Sequence, residues 1–543
     1  MRPSLLLCLA LVFLPNGLSA QPAPPHVRIA QGELVGEVTT MGPYAFKGIP
    51  YAAPPVGPLR WHDPQPPASW QGVRDATNYG PACMQQPSIF HILPSAMSED
   101  CLYLNIWTSN LHPTSPAPVL VFIHGGGFVV GAGSQAAYDG ANLAVRGAVI
   151  VTLNYRLGVF GFFAHPDLTA ASPHHSSGNY GLLDQLAALR WVRRNIAAFG
   201  GDPHNVTVFG ESAGAASIGY LMISPLAQGL FDKAILESPA VLFTATPELH
   251  KDYAGLSSME SIGLAVTPHI ADLQSLSSTD LMDRADTSTR KFLGHGGNGR
   301  PSLSPETTLD NPSGMQQHWT PIVDGYVIPD QPAKLYAEGQ HLRIPTMAGT
   351  NANEGNLFLT HYHPASTASF TIWASQTFAP CAKTVLGYYG PASPAQAHAS
   401  ADRLLTDALF LHSTFLFARD THGYLYRFSH ASPVGESTGL GAFHGSELPY
   451  VFGHTLASQP GRPPYQPIDH RLSDQIMTMW LHFARLGDPN LMNSSGWTRI
   501  GSNNEISYMD FGDTLAVKAW PDSALITFSD PKVCKSNQFA SIR

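Results

Sequence analysis

The sequence predicts an α/β fold, a mostly parallel sheet with helices on both sides, and three observations carry that prediction. Two continuous apolar runs, Val119–Ile123 and Ala148–Leu153, have the pattern of strands buried on both faces. After them, Leu182, Leu186, Leu189, Val192 and Ile196 recur at gaps of 4, 3, 3 and 4, which is a helical stripe. Third, Gly210-Glu211-Ser212-Ala213-Gly214 lies where a predicted strand hands over to a predicted helix.

The remaining elements follow in chain order. Gly200-Gly201-Asp202-Pro203 ends the striped helix and leads into a short buried strand, Val206–Phe209. Ala213–Ile223, rich in Ala, Leu, Met and Ile, reads as a helix that stops at Pro225, because proline lacks the N–H the next turn needs. Ala234–Leu236, Ile344–Met347 and Tyr424–Phe428 read as further strands, and Leu472–Leu486 as a late helix. Strands alternating with helices imply crossovers between parallel neighbours, with both faces of the sheet covered. No internal repeat or linker splits the chain, and the Pro- and Ser-rich stretches 296–314 and 390–400 read as surface excursions.

Composition narrows the class. The 543 residues are 44% hydrophobic and only 13% charged, which suits a well-buried core and not a disordered chain. A formal net charge of -9 argues against nucleic acid and anionic membrane surfaces as partners. The 24 histidines are scattered; His174-His175 and the pair His361 and His363 lack Cys or acidic neighbours at zinc spacing, so no metal site is expected. Arg2, the apolar run Leu5–Leu14 and Leu18-Ser19-Ala20 before Gln21 have the order of a cleavable signal peptide. That run is too short to span a bilayer, and bulky Leu7 before Cys8 argues against a lipoprotein anchor. Residues 1–20 are therefore expected to direct export to a periplasmic or extracellular space. Residues 21–543 are expected to form one domain without a stable membrane anchor.

Export leaves Cys83, Cys101, Cys381 and Cys534, which allow three full pairings. A Cys83–Cys101 bond would close a short loop and remove roughly 3 kcal/mol of unfolded-state entropy. Cys381 and Cys534 read equally well as a pair or as buried free thiols.

A Gly-x-Ser-x-Gly between strand and helix is the setting of a nucleophile elbow. The sharp turn presents the serine at the mouth of a sheet, beside a helix N-terminus that favours developing negative charge. Gly435-Glu436-Ser437-Thr438-Gly439 matches the same pattern, but it follows Pro433 and runs into Gly439-Leu440-Gly441. It reads as a solvated loop, so Ser212 is the candidate nucleophile. A serine needs a base, an orienting acid and an oxyanion site. His124-Gly125-Gly126-Gly127-Phe128, directly after the strand Val119–Ile123, offers backbone N–H groups unobstructed by side chains. The Gly-Lys-Ser/Thr ending of a phosphate loop is absent.

At this point the chain resembles the type B carboxylesterases, the family of cholinesterases, para-nitrobenzyl esterases and fungal lipases. The likeness rests on Tyr44-Ala-Phe-Lys-Gly-Ile-Pro-Tyr-Ala-Ala-Pro-Pro-Val-Gly57, Leu59-Arg60-Trp61 and Ser98-Glu-Asp-Cys-Leu-Tyr-Leu-Asn-Ile-Trp107. Behind them come the His-Gly-Gly-Gly-Phe block and Phe199-Gly-Gly-Asp-Pro-His-Asn-Val-Thr207, in that order over nearly the whole mature chain. The resemblance implies an α/β-hydrolase fold with large excursions around an active-site gorge, and a serine carboxylesterase that needs no cofactor.

The resemblance also implies roles. The acid lies in Ala348-Gly-Thr-Asn-Ala-Asn-Glu-Gly-Asn-Leu-Phe358, which makes it Glu354. The base lies in Phe443-His-Gly-Ser-Glu-Leu-Pro-Tyr-Val-Phe-Gly453, which makes it His444. The oxyanion donors map onto the N–H groups of Gly126, Gly127 and Ala213. Arg60 and Glu99 map onto a structural ion pair, and Cys83 and Cys101 onto the short disulfide loop. Glu211, beside the serine, is expected to shape the field and not to act as the triad acid.

Two departures stand out. Glu237-Ser238-Pro239 replaces the usual Gln-Ser-Gly, leaving Ser238 as a supporting group and changing the acyl side of the pocket. The loop from Cys83 to Cys101 is short, has Phe90 as its aromatic and holds no tryptophan, so neutral, mostly apolar esters are the expected substrates. An amidase, carbamate hydrolase or thioesterase would use the same triad. A non-catalytic adhesion scaffold of this fold would lack a triad member, and this chain retains all three.

Overall fold

Eleven strands form one sheet through the centre of the molecule. In chain order they are β1 (Glu37–Val38), β2 (Tyr44–Pro50), β3 (Tyr103–Thr108), β4 (Ala117–Ile123), β5 (Val149–Leu153), β6 (Gly201–Glu211), β7 (Lys233–Glu237), β8 (Thr346–Asn351), β9 (Tyr424–Phe428), β10 (Ser507–Phe511) and β11 (Leu515–Ala519). The computed structural model describes residues 23–86, 96–292, 319–359, 364, 366–378, 381–456, 461–491, 496–501 and 506–519. The segment 1–20, Phe90, the stretch 296–314, His361, His363 and Cys534 lie outside the described residues.

Across the sheet the order is β11-β10-β9-β8-β7-β6-β4-β5-β3-β2-β1. The run from β10 to β5 is parallel throughout. Antiparallel strands close both ends, β11 on one side and β3, β2 and β1 on the other. The chain order reverses at β4, which has β5 on one side and β6 on the other. In open α/β sheets such a reversal leaves a crevice at the carboxyl ends of the strands, where ligands bind.

Side chains alternate across the strands and feed two cores. Val119, Val121 and Ile123 of β4 join the core on one face, and Leu120 and Phe122 join the core on the other. The helix α1 (Tyr180–Asn195) covers the first face, together with α2 (Ala213–Ile223). Leu182, Leu186, Leu189 and Val192 of the α1 stripe are all 0% exposed, and each such side chain contributes roughly 1.5–3 kcal/mol of burial. The opposite face is covered by α3 (Pro467–Leu486), with Leu472, Ile476 and Trp480 inward. A smaller third core gathers Phe358, Phe370, Trp373, Leu404 and Phe410 from helical segments between β8 and β9.

The structure extends or corrects several readings. β6 starts at Gly201, with a shift of register between Gly201 and Val206 where Pro203 has no N–H to donate. β8 starts at Thr346 and not at Ile344; Pro345 can only accept, and its carbonyl takes the Ala234 N–H at 3.1 Å. Residues 390–400 are not a simple surface excursion. The helix Ala397–Leu405 begins there and buries Ala397, Ala401 and Leu404. Ser437 lies not in a loop but in a short helix, Pro433–Thr438, started by Pro433 and closed by left-handed Gly439. Cys381 is disulfide-bonded, which removes the free-thiol reading for it. Among the described residues no helix is long and apolar enough to cross a membrane.

Candidate active site

The crevice at the β4 reversal is built from the turn after β6 and the loop after β4. Ser212 follows β6 directly, with φ 58° and ψ −122°. A non-glycine residue at positive φ is costly and persists where its surroundings hold it. Here the Ser212 N–H donates to Glu237 O at 2.9 Å, and Ser212 O accepts from Ala216 N at 2.9 Å. The flanking glycines explain the tightness of the turn. A Cβ on Gly214 would stand 1.9 Å from Ile123 O, and one on Gly210 would stand 2.7 Å from the same atom. α2 then starts at Ala213, and the N–H groups of its first turn have no partner within the helix.

The loop after β4 folds back on itself. Val129 N and Val130 N both donate to Gly126 O at 3.0 Å. Gly126 and Gly127 have φ of 106° and 60°. A Cβ on Gly125 would meet Glu211 Oε2 at 2.7 Å and Ser212 Cβ at 3.0 Å, so this glycine lets the two loops touch. The His124 ring stacks on Tyr155 at 4.5 Å, and the Tyr155 hydroxyl donates to His124 O at 3.0 Å, which anchors the loop to the chain beyond β5. Among the described residues no acceptor takes the N–H of Gly126 or Gly127.

His444 and Glu354 meet from two further strand ends. Glu354 opens a short helix after β8 and is fully buried. Its Oε2 lies 2.6 Å from His444 Nδ1. Its Oε1 accepts from Asn351 N at 2.7 Å and from the Ser238 hydroxyl at 2.5 Å. With the carboxylate accepting, Nδ1 carries the proton of a neutral imidazole, and Nε2 is left as the accepting nitrogen. Nε2 stands 3.1 Å from Glu211 Oε1, without the alignment of a hydrogen bond. Among the described residues no hydrogen bond joins His444 to the Ser212 hydroxyl. Phe410 and Phe358 pack on the imidazole, with ring centroids 4.5 and 5.3 Å away. Phe410 sits on a π-helical turn, Thr406–Leu411, an irregularity that concentrates at functional sites.

Three buried carboxylates act on this imidazole, Glu211 at 5% exposure, Glu354 at 0% and Glu447 at 2%, and a fourth, Glu237 at 0%, lies in register beside Glu211. Among the described residues no Lys or Arg forms an ion pair with any of them. Burial pulls the His444 pKa down, but the charges of Glu211, Glu354 and Glu447 outweigh it and leave it raised to about 9. Burial also pushes Glu211 up, with His444 opposing and Glu354 reinforcing. Glu237 is pushed up to about 8 by burial against its hydrogen bond from Trp480, with Glu211 adding to the rise. Glu447 is held well above the usual carboxylate range by burial and by Glu211, Glu237 and Glu354. Sequence reasoning treated Glu237 only as a departure from a motif and passed over Glu447. An acidic side chain closing the apolar run Ala234–Leu236 was the available signal for Glu237.

The other predicted residues lie nearby or apart. Cys83 and Cys101 are joined, with Cα atoms 4.9 Å apart. Arg60 grips Glu99 with both arms, Nε to Oε2 at 2.8 Å and NH2 to Oε1 at 2.6 Å, and its NH1 donates to Leu273 O at 3.0 Å. A second buried pair, Arg156 with Asp184 at 2.7 Å, was not foreseen. Ser437 is exposed, and its hydroxyl donates to Val434 O at 3.1 Å. His174 stacks on Tyr326 at 3.9 Å. Among the described residues no group of three or more His, Cys, Asp or Glu side chains is arranged to hold a metal ion.

Known proteins match this chain over most of its length. The model of the carboxylesterase family matches residues 23–524. A fumonisin B1 esterase from Sphingopyxis macrogoltabida is 37% identical over 507 residues, covering 91% of this chain and 87% of that protein. A para-nitrobenzyl esterase from Bacillus subtilis (strain 168) is 37% identical over 470 residues, covering 83% of this chain and 88% of that one. Among solved structures, a PNB esterase superposes with a TM-score of 0.75 at 32% identity, covering 93% of this chain and 99% of the other.

Proposed function

The chain belongs to the carboxylesterase family and is a carboxylic ester hydrolase; on that premise we propose that Ser212, His444 and Glu354 are its reaction centre. Ser212 Oγ attacks the ester carbonyl as His444 Nε2 takes its proton. Glu354 holds the imidazole through Nδ1 and stabilises its positive charge. The N–H groups of Gly126, Gly127 and Ala213 donate to the oxyanion, each worth about 3 kcal/mol in sites of this kind. His444 returns the proton to the departing alcohol, and water then attacks the acyl-serine by the same route to release the acid.

The observation that carries this reading is the 2.6 Å contact of His444 Nδ1 with Glu354 Oε2, which leaves Nε2 as the nitrogen able to accept a proton. Nε2 lies on the side of the Glu211-Ser212 turn. In a protein without substrate such proton-transfer contacts are commonly long, and they tighten in the complex. Ser212→Ala is expected to abolish nearly all ester turnover in a folded protein, and Ser437→Ala to leave turnover close to wild type. Comparable loss in both variants would overturn the assignment.

The substrates we propose are neutral, mostly apolar esters. Phe358 and Phe410 line the imidazole, and the buried carboxylates disfavour an anionic acyl group. The kcat/KM for butyrylcholine is expected to show no advantage over uncharged 3,3-dimethylbutyl butyrate. An advantage of about tenfold, equivalent to ~1.4 kcal/mol, would reveal a cation site. We further propose export of residues 21–543 as one domain after cleavage near Ala20; the Cys83–Cys101 bond supports an oxidising compartment.

A further inference from the structure

We propose that Glu237 is a positioning residue that holds a proton near neutral pH and, from its place beside Glu211 at the strand ends, adjusts the proton affinity of His444. It touches neither substrate nor imidazole. Glu237 ends β7 in register with Glu211 at the end of β6, so the two side chains leave the sheet on the same face. Its main chain already belongs to the site, since Glu237 O takes the Ser212 N–H at 2.9 Å. Its side chain is 0% exposed, with Oε1 accepting from Trp480 Nε1 of α3 at 2.8 Å. Among the described residues Oε2 has no partner.

The groups facing Glu237 are Glu211 from β6, Glu447 from the segment after His444, Tyr426 from β9 and the Trp480 indole. None of them is a cation. Glu354, whose Oε1 accepts from the hydroxyl of the adjacent Ser238 at 2.5 Å, is already committed to that imidazole through Oε2. A buried carboxylate with no cation beside it keeps its proton until the solution is alkaline. When it ionises, the new charge adds directly to the negative potential at the ends of β6 and β7, where His444 Nε2 lies 3.1 Å from Glu211 Oε1, and a more negative potential makes the imidazole hold its own proton. Glu237 as a neutral acid therefore keeps the imidazole available as a base. The motif departure at this position supplies the titratable group; a Gln there could not ionise.

The test compares Glu237→Gln with wild type in two ways across pH. Folding raises the Glu237 pKa to about 8 from about 4.3 in an unfolded chain. Its stabilising contribution is full below the unfolded value and is lost as pH rises through the folded value. Gln has no such loss, so Tm of the variant minus Tm of wild type is expected to grow between about pH 5 and about pH 8.5 at matched scan rate. The variant-to-wild-type ratio of kcat/KM is expected to rise about threefold between about pH 6 and about pH 8.5. A Tm difference flat in pH overturns the proton-holding role, and a flat activity ratio overturns the coupling to His444. If the variant does not fold, wild-type protein still decides. Absence of any protonated-carboxyl band in its infrared spectrum near neutral pH overturns the proposal. The activity arm rests on the Ser212–His444–Glu354 reading, whereas the Tm and infrared arms do not, so the two failures are distinguishable.

Discussion

At the residue scale, the site is an imidazole held between carboxylates, and its chemistry depends on which of them carry charge. Glu354 meets Nδ1 through Oε2, and its Oε1 is pinned by Asn351 and Ser238. Replacing it with Gln removes the charge that, in the proposed mechanism, stabilises the imidazolium. Glu354→Gln is expected to lower kcat by on the order of 10²–10⁴-fold; an unchanged kcat would send the search to Glu211 or Glu447. The pH profile follows from His444, whose pKa the carboxylates raise to about 9. In the proposed mechanism the deprotonated imidazole is the base, so kcat/KM is expected to climb with pH toward that value and to fall about tenfold per unit well below it. A rate unchanged down to about pH 4 would contradict a histidine base. Ser212 was legible in the sequence because its neighbours declare a strand, a turn and a helix. The acids were legible only in part. Glu354 and His444 came from the family likeness, and spacing alone does not single out His444 among 24 histidines. Glu447 takes its place in the cluster through a long-range approach of β8, since Asn351 donates to it.

At the element scale, the segments after four strands and one helix start converge because of where the sheet changes direction. β4 and β6 are neighbours, so the glycine loop after one and the elbow after the other are forced together. The contact is tight enough that Gly214 has no room for a methyl group. Gly214→Ala is therefore expected to displace Ser212 from its donors and lower turnover by on the order of 10²-fold or more. Wild-type turnover and stability in that variant would mean that the elbow does not rest on the end of β4. The parallel strands and the α1 stripe were readable from apolar runs and helical spacing. β1 and β2 were not, because Lys47, Gly48 and Pro50 break any alternation in β2 and only tertiary pairing makes it a strand. The helix at Pro433–Thr438 escaped notice because its glycine density mimics a loop, while Ser432 caps it by accepting from Gly435 N.

At the scale of the whole molecule, the two cores on either face of the sheet fix the strand ends, and the third core adds the aromatic wall over His444. Arg60 with Glu99 and Cys83 with Cys101 brace the N-terminal region of that architecture from one side. In the proposed mechanism one serine, Ser212, carries the acyl group, and the proposed enzyme is exported. Non-reducing peptide mapping of the mature protein after reaction with a fluorophosphonate decides both points. The expected result is one adduct per chain, on the peptide holding Ser212, in a protein that begins near Gln21 with Cys83 joined to Cys101. An adduct on Ser437 or elsewhere, or an active protein that takes up no label, would contradict the proposed mechanism.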